Sequence, residues 1–278
     1  GARPHRSRRA CRAGRGRPLT PPTPSLPRVA RYFDALYAAL AASETHRAVG
    51  REVLGDGYAG QLGYAGEHEL LRMAEVCGMA PGRTVLDLGC GTGGVASWWA
   101  RRTSARVIGV DCSGTALRIG AADESRDARA AFVAADATAL PLAASSLDGI
   151  VSLDGFGLDF ARLAREARRL LRGGGRVALL ISLPAGGAGP ALEALAAAGL
   201  AECFVEDQME PAAALMSRWR EAYRRAASGH IAEVGERVHR GIVDEIDELL
   251  VGYREGTTER VLIGATRLQA ARSARVAR

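Results

Sequence analysis

Hydrophobic and polar positions fall into two regimes along the chain. From residue 84, short aliphatic and β-branched runs alternate with amphipathic stretches. Thr84–Leu88, Arg106–Val110, Ala131–Ala134, Gly149–Leu153 and Arg176–Ser182 read as strands. Val95–Arg102, a segment from about Ser113, and Ala161–Leu171 read as helices between them, with Gly173, Gly174 and Gly175 ending the last and turning the chain. Strands joined by helices at this spacing call for right-handed crossovers and a parallel sheet covered on both faces, so the fold class is α/β. Beyond it come a helix over Pro190–Ala198, a strand over Leu200–Val205, longer helices over Pro211–Ala227 and Ile231–Val251, and a last strand, Arg260–Thr266. Upstream, residues 29–80 read as helical, with Val29–Ala42 and Glu67–Cys77 flanking a glycine-punctuated turn from Gly55 to Tyr64. No internal repeat is evident.

Composition narrows the function classes. With 278 residues, 47% of them hydrophobic, the chain can build one sizeable core and a smaller cap. All 37 basic residues are arginine and asparagine is absent as well, so the arginines reflect GC-rich coding as much as guanidinium chemistry. The net charge is +6, yet eight arginines and no acid lie in the first 28 residues, which leaves residues 29–278 at −2. A nucleic-acid enzyme needs its basic residues on the folded body, so no nucleic-acid partner is expected. No apolar run is long enough to cross a bilayer, and a soluble, cytoplasmic protein without a membrane partner is expected. Five cysteines without a C-x-x-C pair, and five histidines without H-E-x-x-H spacing, give no disulfide scaffold and no metal site.

The Arg- and Pro-rich residues 1–27 cannot bury a core and read as a disordered leader. They are neither amphipathic nor Ser-rich as a transit peptide is, and a start at Gly1 favours an upstream extension over a genuine tail.

Val85-Leu-Asp-Leu-Gly-Cys-Gly-Thr-Gly-Gly94 stands between the first strand and the first helix, where open α/β sheets bind ligands. Its glycines at 89, 91 and 94 satisfy G-x-G-x-x-G, a pattern shared by several nucleotide binders. Asp87, two residues before the first glycine, suits a ligand with a cationic ammonium and gains nothing beside a pyrophosphate. S-adenosylmethionine has such an ammonium and no phosphate. Asp111, ending Val107-Ile-Gly-Val-Asp, is placed to accept ribose hydroxyls, and Asp136 the adenine amino group, with the Ala137 N–H facing the ring. Three acids thus end three successive strands.

In these segments, together with Ser146–Leu153 and Arg162–Leu180, the chain resembles the small-molecule branch of the class I S-adenosylmethionine-dependent methyltransferases over residues 60–183. The resemblance implies a Rossmann-like seven-stranded sheet with a reversed last strand, here Arg260–Thr266. It places Asp87, Gly89, Cys90 and Gly91 on the methionine side of the cofactor, Asp111 and Cys112 at the ribose, Asp136 and Ala137 at the adenine, and Leu153 beside the methionine. It divides the chain into the leader (1–27), an N-terminal helical lid (28–82), a cofactor-binding α/β core (83–206), a helical substrate cap (207–257), and the last strand and tail (258–278).

Tyr58, Gln61 and Tyr64 resemble the family's segment that closes over the cofactor. Met209, Met216 and Tyr223 recur every seven residues beside Trp219, as a core stripe or as the wall of a substrate pocket. Relatives carry histidine after strand four, whereas Leu153–Phe160 offers only Asp154 and Asp159. Asp154 and His68 are the catalytic candidates, and His46 and His230 also lie in the covering segments.

The resemblance implies in-line transfer of the methyl group of S-adenosylmethionine to a nitrogen or oxygen of a small-molecule acceptor, mainly by positioning. GC-rich coding together with a small-molecule cap points to secondary metabolism in a bacterium. Two alternatives stand beside it. One is a methyltransferase-like protein that binds the cofactor without turnover. The other is a nicotinamide-dependent oxidoreductase, which the lack of any lysine for a Tyr-x-x-x-Lys pair disfavours.

Overall fold

The computed structural model describes residues 26–137, 139–155 and 159–269. Three helices lead: α1 (Leu26–Ala41), α2 (Glu44–Leu54) and α3 (Glu67–Cys77). The core follows as β1 (Thr84–Leu88), α4 (Gly94–Thr103), β2 (Arg106–Asp111), α5 (Gly114–Ala121), β3 (Ala130–Ala134), β4 (Leu147–Leu153), α6 (Phe160–Leu170), β5 (Leu171–Pro184), α7 (Ala188–Ala197) and β6 (Ala201–Asp207). The chain then forms α8 (Met209–Arg225), α9 (Ala227–Val234), α10 (Glu236–Glu255) and β7 (Thr258–Thr266).

The seven strands form one sheet in the order β3-β2-β1-β4-β5-β7-β6. β7 runs antiparallel to β5 and β6, pairing Ile263 with Leu179 and with Val205, while the remaining pairs are parallel. The expected reversed last strand is therefore present. The strand order reverses between β1 and β4, opening a crevice at their carboxyl ends.

Central position explains the strand sequences. Val85, Leu86 and Leu88 of β1 are buried, as suits a strand covered on both faces. One face packs on α6 and α7 through Leu163, Leu170 and Leu195, and the other on α3 and α4 through Leu70, Met73 and Trp99. A third cluster joins α2, α8 and α10 through Val53, Met216, Trp219, Tyr223 and Ile246.

Three local features refine or correct the sequence reading. Within the stretch read as helical, residues 44–54 form a helix of their own, α2, capped by the Ser43 hydroxyl accepting from His46 N–H. The glycines at 173–175 do not separate α6 from a later strand. β5 begins at Leu171, paired with Leu147, and bulges through them to resume at Arg176 opposite Gly149. The long helix expected over 231–251 is broken at Gly235, whose φ of 83° separates α9 from α10. The leader lies almost wholly outside the described residues, although α1 starts at Leu26.

Candidate active site

The turn from β1 into α4 is built on glycine. Gly89, Gly91 and Gly93 all have positive φ, which lets the loop fold back under the end of β2. There Gly89 N–H (2.8 Å) and Cys90 N–H (3.1 Å) donate to Val110 O. Asp111 completes the cradle, its carboxylate accepting from Gly91 N–H at 2.8 Å and Ser113 N–H at 2.7 Å. A side chain at Gly94 would put its Cβ 1.6 Å from Ala59 O, so glycine there lets the preceding loop lie on the start of α4.

Asp87 ends in the floor of this cradle, only 2% exposed. Burial, reinforced by the nearby Asp111 charge, pushes its carboxyl up to about 7. Among the described residues no hydrogen-bond donor reaches it. Asp111 is also raised by burial, partly offset by its backbone donors. Asp136 and Ala137 follow β3 in half-buried positions, and Leu153 closes β4, also half-buried. Burial raises the thiols of Cys90 and Cys112, the latter to about 11, so neither is a thiolate near neutral pH.

The covering segments meet the cradle from two sides. Gln61 is buried and braces its own loop, accepting from Ala59 N–H (2.7 Å) and donating to Gly57 O (2.9 Å) and Ala65 O (3.3 Å). Tyr58 packs its ring against Gly50 of α2. Tyr64 donates its N–H to Asp154 Oδ2 at 3.0 Å and its hydroxyl to Glu245 of α10 at 3.4 Å. From α1, Asp34 accepts from the Ser113 hydroxyl (2.7 Å) and Thr115 N–H (2.9 Å), docking that helix on the start of α5. The same helix places Tyr37 beside Gly91, where a Cβ would lie 2.2 Å from the phenol oxygen.

The catalytic candidates are differently employed. Asp154 has φ 51° and its carboxylate is held by the buried Arg260 guanidinium of β7, which also donates to the Ser182 hydroxyl at 3.2 Å. With the Tyr64 N–H bound as well, both Asp154 oxygens are engaged, and the residue ties the covering loop to β4 and β7. His68 sits exposed in the first turn of α3. His46 and His230 are buried inside the cap and pushed down to about 4 chiefly by burial, with His46 bonded to the Tyr223 hydroxyl at 2.7 Å. Met216 and Trp219 are core residues, 1% and 3% exposed, and Met209 packs at their edge. The seven-residue stripe is thus the seam of the cap. Asp159 caps α6 by accepting from Arg162 N–H, and residues 156–158 lie outside the described residues.

Comparison with known proteins bears on this arrangement. Residues 85–175 match the family model of the methyltransferase domain. Over these residues the chain is similar to a methyltransferase domain. Methyltransferase GfsG of Streptomyces halstedii is 37% identical over 123 residues, covering 42% of this chain and 44% of that protein. A ubiquinone/menaquinone biosynthesis C-methyltransferase of Acidiphilium cryptum is 38% identical over 120 residues, covering 40% and 47%. The matched stretch therefore spans less than half of either relative. The [4+2]-cyclase SpnF superposes with a TM-score of 0.71 at 22% identity, covering 90% of this chain and 99% of that one, a likeness of fold.

Four residues that the sequence reading did not single out for the site lie around it: Asp34 and Tyr37 of α1, Arg260 of β7 and Glu245 of α10. The Tyr32-Phe-Asp-Ala-Leu-Tyr37 run carried a signal, since it groups aromatics and an acid on a helix otherwise poor in charge. For Glu245, one acid among several on an amphipathic helix, there was none.

Proposed function

We propose that the protein transfers the methyl group of S-adenosylmethionine to a nitrogen or oxygen of a small molecule. The observation that carries this reading is the buried, donor-free Asp87 carboxyl beside a cradle of loop glycines closed by Asp111. An isolated buried carboxylate is costly without a cation, and the ammonium of a methionine moiety supplies one. A pyrophosphate at the same place would meet two acids, which disfavours a dinucleotide. The donor set fits S-adenosylmethionine: Asp87 for the ammonium, the Gly89–Gly91 backbone beside it, Asp111 and Cys112 for the ribose, Asp136 and Ala137 for the adenine.

When bound, that cofactor supplies a methyl group activated by sulfonium charge. The chain's own part is positioning and exclusion of water. Tyr37 and the loop from Tyr58 to Tyr64 cover the cradle, and the Asp154–Arg260 pair fixes that loop against the end of β4. The relatives' printed names, among them an erythromycin 3″-O-methyltransferase from Saccharopolyspora erythraea, support a small-molecule acceptor. Among the described residues no helix is long and apolar enough to cross a membrane.

The test is formation of S-adenosylhomocysteine from S-adenosylmethionine in the presence of a panel of amines and hydroxyl compounds. Acceptor-dependent formation that is lost in Asp111→Ala supports the reading. Absence of cofactor binding, or oxidation of NADH instead, overturns it.

A further inference from the structure

Resting on the methyltransferase reading, we propose that Glu245 of α10 is the general base of the reaction and that the acceptor is a hydroxyl compound. The cap places this one carboxylate opposite the end of β4. Its Oε2 accepts from the Tyr64 hydroxyl at 3.4 Å, and the backbone N–H of the same tyrosine binds Asp154, the residue that follows β4. Glu245 therefore lies one side chain away from the end of the strand that borders the methionine side of the cradle.

Glu245 and Tyr32 are both exposed to solvent, Tyr32 by 59%, and burial raises the pKa of each. Neighbouring groups surround the Glu245 carboxylate. The charged and titratable groups that face it are Tyr32 from α1, Tyr64 from the covering loop, Asp154 from the end of β4, Tyr223 from α8 and Glu248 from α10 itself. Asp154 and Glu248 add negative charge that raises Glu245 further, while the Tyr64 hydroxyl lowers it.

The competing groups are occupied. Asp154 is ion-paired with Arg260, His46 and His230 are buried, His239 is bonded to His230 at 3.0 Å, and His68 is on the outer surface. Among the described residues Glu245 combines accessibility, a carboxyl raised by burial and a neighbouring phenol that can position a hydroxyl. A neutral amine needs no base before attack, whereas a hydroxyl does. In the step, the acceptor O–H bond breaks and its proton passes to the Glu245 carboxylate. The acceptor oxygen forms its bond to the methyl carbon as the carbon–sulfur bond breaks, and that electron pair stays on sulfur. Glu245, exposed to solvent, then releases its proton to water.

The experiment compares the full chain with Glu245→Gln and Glu245→Asp. Calorimetry with S-adenosylmethionine comes first, because loss of binding in the unsubstituted protein would count against the methyltransferase reading itself. Methyl transfer from labelled cofactor is then followed from pH 5 to 9 with phenol, catechol, primary-alcohol and primary-amine probes. The expected result is transfer to a hydroxyl probe that falls about 10²–10⁴-fold in kcat in Glu245→Gln. Cofactor affinity should stay within twofold, the acid limb of the profile should vanish, and Glu245→Asp should recover part of the rate. Independently of turnover, a carbon-labelled glutamate carboxyl resonance missing in Glu245→Gln should titrate above the ordinary glutamate range. Transfer to amines alone, no hydroxyl turnover while the cofactor binds, an unchanged pH profile in Glu245→Gln, or an ordinary titration midpoint would each overturn the assignment.

Discussion

At Asp87 the account becomes a statement about protons. Its carboxyl is pushed up to about 7 in the free protein, so around neutrality it is only partly ionised, and a bound ammonium would favour the ionised form. Cofactor affinity should therefore be full above pH 8 and fall towards pH 6, by about tenfold per unit well below the midpoint. Calorimetry in two buffers of different ionisation enthalpy should show proton release on binding. The linked stability has the opposite sense. An acid raised in the folded state contributes fully below its unfolded value near 4, and that contribution is lost as pH climbs through about 7. Asp87→Asn should weaken binding by about 2 kcal/mol, roughly thirtyfold, and flatten the pH dependence. Affinity that is constant from pH 6 to 8 in the unsubstituted protein contradicts the assignment. The placing of Asp87, Gly91 and Asp111 around one turn was legible in the sequence because strand ends and glycine punctuation are local signals. Tyr37 and Glu245 were not, because 54 and 158 residues of chain separate them from Gly91 and Asp87, and only tertiary packing brings such groups near the site.

Among the elements, the Asp154–Arg260 pair joins three of them: the covering loop, β4 and β7. Arg260 is 2% exposed and also lies near the buried Glu69, whose ionisation it favours. Removing the guanidinium leaves Asp154 without its cation, so Arg260→Met should cost about 3–5 kcal/mol of stability, read as a fall in Tm. Adding Asp154→Asn should recover part of that loss, and simple additivity of the two substitutions would contradict the coupling. Strand and helix alternation was readable because apolar runs and glycine punctuation are local. The start of β5 was not, since Gly173–Gly175 look like a helix stop and a turn. Whether they form a loop or a bulge inside a paired strand depends on Leu147 opposite Leu171. The bounds of α2 were likewise hidden inside a stretch read as helical throughout, as its apolar face of Val49, Val53 and Leu54 gains meaning only against α8.

For the whole molecule, right-handed crossovers left little freedom in the sheet, and the reversed β7 completes the order expected of the family. The cap was the unreadable part. Periodicity put Met216 and Tyr223 on one face of α8, but both a core seam and a pocket wall have that pattern; contact with α2 and α10 decides for the seam. Glu245 meets the covering loop only because α10 folds back over it, so that Tyr64 bonds both Glu245 and Asp154. The most direct test of the central claim is calorimetric titration of the chain with S-adenosylmethionine and with NADH, alongside Asp111→Ala. Saturable binding of S-adenosylmethionine alone, lost when Asp111 no longer holds Gly91 and Ser113, is the predicted result. No binding, preference for NADH, or undiminished affinity in Asp111→Ala would contradict it.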